Sequence, residues 1–320
     1  MTISRFLQWK PNVFLYRKLG WRFTSSYLFF LGSLYFMLRR QERENIACSV
    51  QAVFGAKKTP SELKNLNKRI LQGILSHYFE KVFNAYEGLP ALTSFMSDHI
   101  RAPSIHKVEE ALKRKKGALF VTGHYGGVEY IPIFLAMHGF PVSVLFKCAT
   151  SQLQETLERR AQELGINVID PSRENALGAV LQNLRENRVV FTQCDEIEAW
   201  KPSRKEEMLF LGKRIGVDRT LTLLQRRSGA EIVFGLLQRH NLDNYLFVIE
   251  TYHGSASRSG TVPCSPAAAL LKLLEHYIYT CPEAWYQWKH HASLKPSTLP
   301  HEASRDTVPV PFLKPSFRTT

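Results

Sequence analysis

From residue 118 onward the chain alternates short apolar runs with amphipathic stretches, several of which stop at glycine. No other feature constrains its fold as tightly. The runs 118–122, 142–146, 166–169 and 189–192 carry almost no charge, as strands buried on both faces do. Between them, 128–138, 152–164 and 174–186 read as helices, the first two closed by Gly139 and Gly165. Farther on, 219–227 reads as a helix stopped by Gly229, 232–237 and 246–249 as strands, and 267–279 as a last helix. This order predicts an α/β fold: a mainly parallel sheet sandwiched by helices.

Upstream, residues 40–88 look helical. Leu63, Leu66, Ile70, Ile74 and Phe79 recur at helical spacing after a plain start at Ser61, and Gly88-Leu89-Pro90 ends the pattern. A further helix is expected over 105–114. No internal repeat is visible.

Charge is distributed unevenly. Lys and Arg number 42 against 28 Asp and Glu, a net charge of +14. Residues 1–43 hold eight basic side chains and a single acid, Glu42, and so carry half of that excess. Inside this region, 23–38 (FTSSYLFFLGSLYFML) has no charge and many aromatics. As a helix it is about 24 Å long at 1.5 Å per residue, short against a hydrocarbon core of about 30 Å. Arg17, Lys18 and Arg22 precede it, and Arg39, Arg40 and Arg43 follow. A basic collar on an apolar segment suits an anionic membrane surface, with the helix either lying in the interface or crossing at a tilt. A buried core helix is the plainer alternative. We therefore expect three parts: a membrane-anchoring segment at 1–43, an α/β domain at 44–291 and a proline-containing tail at 292–320.

The composition also excludes several classes. With 44% hydrophobic residues the chain can bury a full core, so wholesale disorder is ruled out. Five scattered cysteines form no C-x-x-C pair and no zinc-type cluster, and no metal or cofactor is expected. A nucleic-acid-binding protein would account for the basic charge, but no recognisable DNA or RNA module and no basic–aromatic stripe supports one.

The stretch from Ala118 to Pro132 (ALFVTGHYGGVEYIP) carries the chemistry. A buried strand ends, a glycine-rich turn follows, and a helix begins, which places His124 where open α/β sheets bind their ligands. Glu129 lies five residues on. Gly126 and Gly127 permit a tight turn that brings its carboxylate to one imidazole nitrogen, leaving the other as a general base. The plain alternative is a satisfied histidine at a helix start, with Glu129 complementing the helix dipole. There is no G-x-S-x-G elbow and no adjacent cysteine, so a covalent nucleophile is not evident.

These residues resemble the H-x-x-x-x-[DE] block of the membrane acyltransferases, in particular the lauroyl/myristoyl acyltransferases of bacterial lipid A biosynthesis. Five further blocks agree in order. The stretch 40–55 is similar to the family's R-x-N-I-x-x-x-F-P helix, and 188–195 to its strand ending in aspartate. The segment 210–215 resembles F-F-G-x-P-A, 227–234 resembles R-T-G-A-P-V-V-P, and 282–291 resembles P-x-Q-W-x-W-x-H-R-R. The likeness spans roughly 15–295.

The resemblance implies an α/β sandwich seated by an N-terminal hydrophobic helix on the cytoplasmic face of the bacterial inner membrane. It implies transfer of an acyl chain from acyl carrier protein, or coenzyme A, to a lipid hydroxyl. His124 would be the base and Glu129 its orienting partner. Arg159 or Arg160 would hold an acceptor phosphate or oxyanion, and Lys147 stands where the family has an arginine after a strand. Asp195, past another strand, falls near the same sheet edge. Gly127-Val128, Arg214 and Ile215 depart from the family pattern, as does the charged stretch 196–207, expected to be a loop. Those departures leave room for a related glycolipid, a lysophospholipid or another lipid as acceptor. A catalytically silent membrane scaffold with the same fold would be the non-enzymatic counterpart.

Overall fold

A computed structural model describes residues 3–146, 150–172, 174–197, 201–241, 243–252 and 264–294; of Leu19, Arg204 and Lys205 only the backbone is described. Lys147 and nearly all of the expected tail lie outside the described residues.

The N-terminal half is helical: α1 (Ile3–Leu7), α2 (Lys10–Leu38), α3 (Arg40–Phe54), α4 (Pro60–Tyr86) and α5 (Leu89–His99). The long α4 is the centre of this layer. It begins one residue before Ser61, because Thr59 and Glu62 form a reciprocal cap: the Glu62 amide donates to the Thr59 hydroxyl, and the Thr59 amide donates to the Glu62 carboxylate. Leu66, Ile70 and Phe79 from its apolar stripe are fully buried. α4 ends at Tyr86, just before Gly88-Leu89-Pro90 as expected, and Pro90 sits in the first turn of the next helix, α5, where its missing N–H costs nothing.

A short strand β1 (Ile100–Arg101) and α6 (His106–Lys113) lead into the α/β part. There follow β2 (Ala118–Thr122), α7 (Ile131–Met137), β3 (Val142–Leu145), α8 (Ser151–Glu163), β4 (Asn167–Ile169), α9 (Ala176–Arg185) and β5 (Val189–Gln193). A separate hairpin, β6 (Pro202–Phe210) with β7 (Lys213–Asp218), comes next, then α10 (Thr220–Ser228), β8 (Glu231–Asn241), β9 (Asn244–Tyr252) and α11 (Pro266–Thr280). Two 3-10 stretches, Pro282–Ala284 and Tyr286–Ser293, close the described chain.

The seven-stranded sheet has the order β1-β9-β8-β2-β5-β3-β4, with every neighbouring pair parallel except β8–β9. All five residues of β2 are buried, as its apolar run requires. The expected charged loop is corrected: from Pro202 it is strand β6, paired antiparallel with β7.

The N-terminal expectation is also corrected in part. The apolar segment lies within α2, which bends at Gly20, a residue with a left-handed φ of 70°. Among the described residues no helix is long and apolar enough to cross a membrane. One face of α2 packs instead on α4, with Gly32 against Leu75 and with Leu28 and Phe36 buried.

Candidate active site

Strand order builds the site. β2 pairs with β5 in the register Thr122↔Gln193, and Cys194 N–H donates to the Thr122 carbonyl, carrying the ladder one step past the strands. Two residues beyond the register pair stand His124 on one strand and Asp195 on the other. Both lie at the carboxyl edge of adjacent parallel strands, where this class of sheet forms its ligand crevice.

The Asp195 carboxylate, fully buried, lies 2.9 Å from Nδ1 of His124. It also accepts the His124 backbone N–H at 3.0 Å and the Trp285 indole N–H at 2.7 Å. The carboxylate accepts from all three groups and so keeps the proton of His124 on Nδ1. Nε2 then faces outward, 3.4 Å from a carboxylate oxygen of Glu196. Burial works against charge on the His124 ring, but Asp195, its hydrogen bond and Glu196 outweigh burial and the nearby Lys81, so the pKa is raised.

This corrects the expected partner of His124. Glu129 sits in a 3-10 turn, Val128–Tyr130, whose winding aims it away from the imidazole. Its backbone carbonyl accepts from Asn84, and its carboxylate lies 3.2 Å from Lys81 Nζ and 3.6 Å from His77 Nε2, both on α4. The glycine turn has another task as well. Gly126 has φ 58°, and a Cβ there would run into the Leu237 carbonyl oxygen. Its amide donates to the Ala284 carbonyl, Gly127 to that of Leu237 and Tyr125 to that of Gly123. The amides of 124–127 are thus all engaged, and the turn offers no anion nest.

Behind the turn lies a buried ion pair. Arg239 Nε is 2.7 Å from Glu80 Oε1, and its Nη2 donates to the Gly126 carbonyl at 3.2 Å. Tyr245 donates to the same Glu80 oxygen at 3.0 Å.

The C-terminal 3-10 segments form the third side. Trp285 holds Asp195, while Tyr286 stands edge-on to His124 at 5.0 Å and stacks on His77 at 3.4 Å. Burial first, and then the charge of Lys81, push the pKa of His77 well below its ordinary value, so that ring is neutral. The Trp-rich block at 282–291 stood out in the sequence; its direct role in the site did not, nor did the roles of His77, Lys81 and Glu196.

In front of Nε2 opens a cavity of about 770 Å³, within the roughly 300–1,000 Å³ usual for small-molecule sites. Much of its wall is apolar: Val121, Ile133, Val144, Phe191, Leu221 and Leu271. Lys81 and Arg160 are the cationic residues lining it among those described. The structure thereby separates the two candidate arginines. Arg159 is exposed, whereas Arg160 is 8% exposed and reaches the cavity. Arg160 Nη2 donates to the Glu87 carbonyl, and its Nη1 is buried without a hydrogen-bond partner. Such a donor is costly unless a group in the cavity accepts a hydrogen bond from it.

A buried imidazole–carboxylate pair at the mouth of an apolar-walled cavity, with a guanidinium on the wall, defines an α/β protein equipped to deprotonate a hydroxyl beside an apolar chain. The chain matches the family model described as bacterial lipid A biosynthesis acyltransferase over residues 12–292, and it belongs to that family. Membership marks it as an acyltransferase, with lipid A acylation the activity the family suggests. No curated protein matches it.

Proposed function

We propose that the protein moves a fatty acyl chain from an acyl carrier protein thioester, or from coenzyme A, to a hydroxyl of a lipid A precursor or related glycolipid. The observation that carries this reading is the placement of His124 Nε2 toward the apolar cavity while Asp195 secures Nδ1. His124 takes the hydroxyl proton, and the oxygen attacks the thioester carbonyl. The carbon–sulfur bond breaks, and the imidazolium returns its proton to the departing thiolate. Asp195 stabilises the imidazolium between those events. The acyl chain occupies the apolar wall. Arg160, with Lys81 beside it, supplies positive charge to the carbonyl oxygen or to an acceptor phosphate. No resident metal or cofactor has a part in this scheme.

We place the reaction at the cytoplasmic face of the bacterial inner membrane, with α2 lying on the surface. Phe23, Phe30 and Met37 recur every seven residues and are all exposed, at 43%, 66% and 64%. Arg22, Arg39 and Arg40 are exposed beside them. An apolar stripe with a basic border fits an anionic bilayer interface, while the opposite face of α2 is occupied by α4. The N-terminal segment also touches the helix that carries Arg160: Gln8, between α1 and α2, accepts from Thr150, the cap of α8.

The test is acyl transfer in mixed micelles with acyl carrier protein donor and a lipid A precursor, read by mass spectrometry. Wild type transfers and His124→Ala does not. Turnover retained in His124→Ala refutes the assignment of the base. An unchanged lipid profile in a deletion strain would favour the silent scaffold.

A further inference from the structure

With Nδ1 of His124 committed to Asp195, only Nε2 can meet an acceptor hydroxyl. A general base needs the reacting oxygen at about 2.6–3.2 Å along its lone pair. The Glu196 carboxylate already stands 3.4 Å from that nitrogen, on the cavity side. A hydroxyl and this carboxylate therefore compete for one position. The two acidic neighbours differ sharply in their surroundings: the Asp195 side chain is 0% exposed and Glu196 48%. Asp195 is fixed by three donors within the core, whereas Glu196 sits at the solvent edge of the cavity.

We propose that Glu196 is a gating carboxylate, which caps Nε2 of His124 in the resting enzyme and yields that position to the acceptor hydroxyl. It acts through His124 as a positioning residue, and the inference rests on the acyl-transfer reading above. In the capped state the ring lies between two carboxylates, which favour a proton on Nε2 as well as on Nδ1 and so oppose its action as a base. When the acceptor displaces Glu196, the carboxylate is withdrawn, the Nε2 proton passes through it to solvent, and the ring becomes a base in the occupied site. Idle His124 is thereby kept from activating water against the bound thioester.

The other groups facing His124 do not blur this reading. Asp195 stays in both states. Lys81, on α4, opposes charge on the ring. His77, also on α4, is neutral, and burial keeps the Tyr286 phenol protonated. Glu129 is turned to Lys81 and His77.

The experiment follows the His124 ring by NMR in the detergent-solubilised full chain, for wild type and Glu196→Gln, with and without the lipid A precursor. A carboxylate this close, at a half-exposed position, raises a histidine midpoint by about one pH unit. The resting variant therefore titrates about one unit lower than the resting wild type, and bound precursor brings the wild type to the variant's midpoint. In the transfer assay the acid limb of kcat/KM, which reports the free enzyme, moves down by the same amount, while the acid limb of kcat stays in place. One unit below the wild-type limb the variant is about fivefold faster in kcat/KM, approaching about tenfold at still lower pH. Equal midpoints in the resting proteins overturn the proposal, and so does a joint shift of both limbs, which would leave Glu196 on the nitrogen during turnover. If the wild type transfers nothing while the resting midpoints still differ, the acyl-transfer reading fails and the cap stands.

Discussion

Asp195→Asn is the substitution that best tests the site, because the surroundings dictate which way the new amide must face. Asp195 Oδ2 takes the Trp285 indole N–H at 2.7 Å, and Oδ1 faces His124 Nδ1 at 2.9 Å. Indole nitrogen can only donate. An asparagine must therefore turn its carbonyl oxygen to Trp285 and its NH2 to His124. Nδ1 must then accept, so the proton moves to Nε2. The nitrogen that should receive the hydroxyl proton now carries one.

Two losses combine in that variant. The imidazolium loses an anion at 2.9 Å, which lowers the pKa of His124 and weakens it as a base. Tautomer inversion removes the base itself, a contribution of about 10²–10⁴ in rate. We expect kcat to fall at least about a thousandfold, roughly 4 kcal/mol of barrier. The assay is steady-state acyl transfer read by mass spectrometry, with nitrogen chemical shifts of His124 reporting the tautomer and near-ultraviolet circular dichroism confirming the fold. A folded variant within tenfold of wild type refutes the reasoning, as does a ring that keeps its proton on Nδ1.

Three further outcomes follow from the same geometry. Glu129→Gln, which relaxes Lys81 rather than the base, lowers kcat/KM by no more than about tenfold, the scale of one charge-assisted contact, in the same transfer assay. Gly126→Ala forces a left-handed residue and drives a methyl group into the Leu237 carbonyl, so stability falls by about 3 kcal/mol or more in denaturant melts. His77→Phe changes the acid side of the stability curve. His77 is depressed in the fold, so an unfolded imidazole takes a proton below about pH 6.5 that the folded one refuses, and stability drains as pH falls. Removing it makes the slope between pH 6.5 and 5 shallower by up to about 1.4 kcal/mol per unit, as measured by urea unfolding at several pH values.

Legibility from sequence tracks how local each feature is. β2 and β5 were readable because burial on both faces leaves runs such as ALFV and VVF free of charge. β6 was not readable, because a two-stranded hairpin outside the sheet can carry Glu206 and Glu207 without burying them in a core. The start of α4 was legible in principle: Thr59 and Glu62 stand at capping-box spacing. The apolar segment within α2 was visible, but the packing of one of its faces on α4 depends on the fold. Of the two arginines, one-residue spacing could not choose; a helix puts neighbours about 100° apart, and α8 buries Arg160 while leaving Arg159 in water.

The His124 partner shows the same limit most sharply. An H-x-x-x-x-E spacing invites a local pair, and a glycine turn is flexible enough to form one. What decides the outcome is non-local. Strand order sets β5 beside β2, and the shared register then brings residue 195 opposite residue 124 without any contribution from the intervening chain. Trp285 arrives from ninety residues farther on and engages the carboxylate's second oxygen. Asn84 meanwhile fixes the Glu129 carbonyl, so that side chain is turned to α4. The two carboxylates are thus divided by position: Asp195 holds the ring that moves the proton, and Glu129 holds Lys81 on the cavity wall. A substitution at either one should therefore disturb a different quantity, the rate of proton transfer at Asp195 and the binding of anionic substrate groups at Glu129.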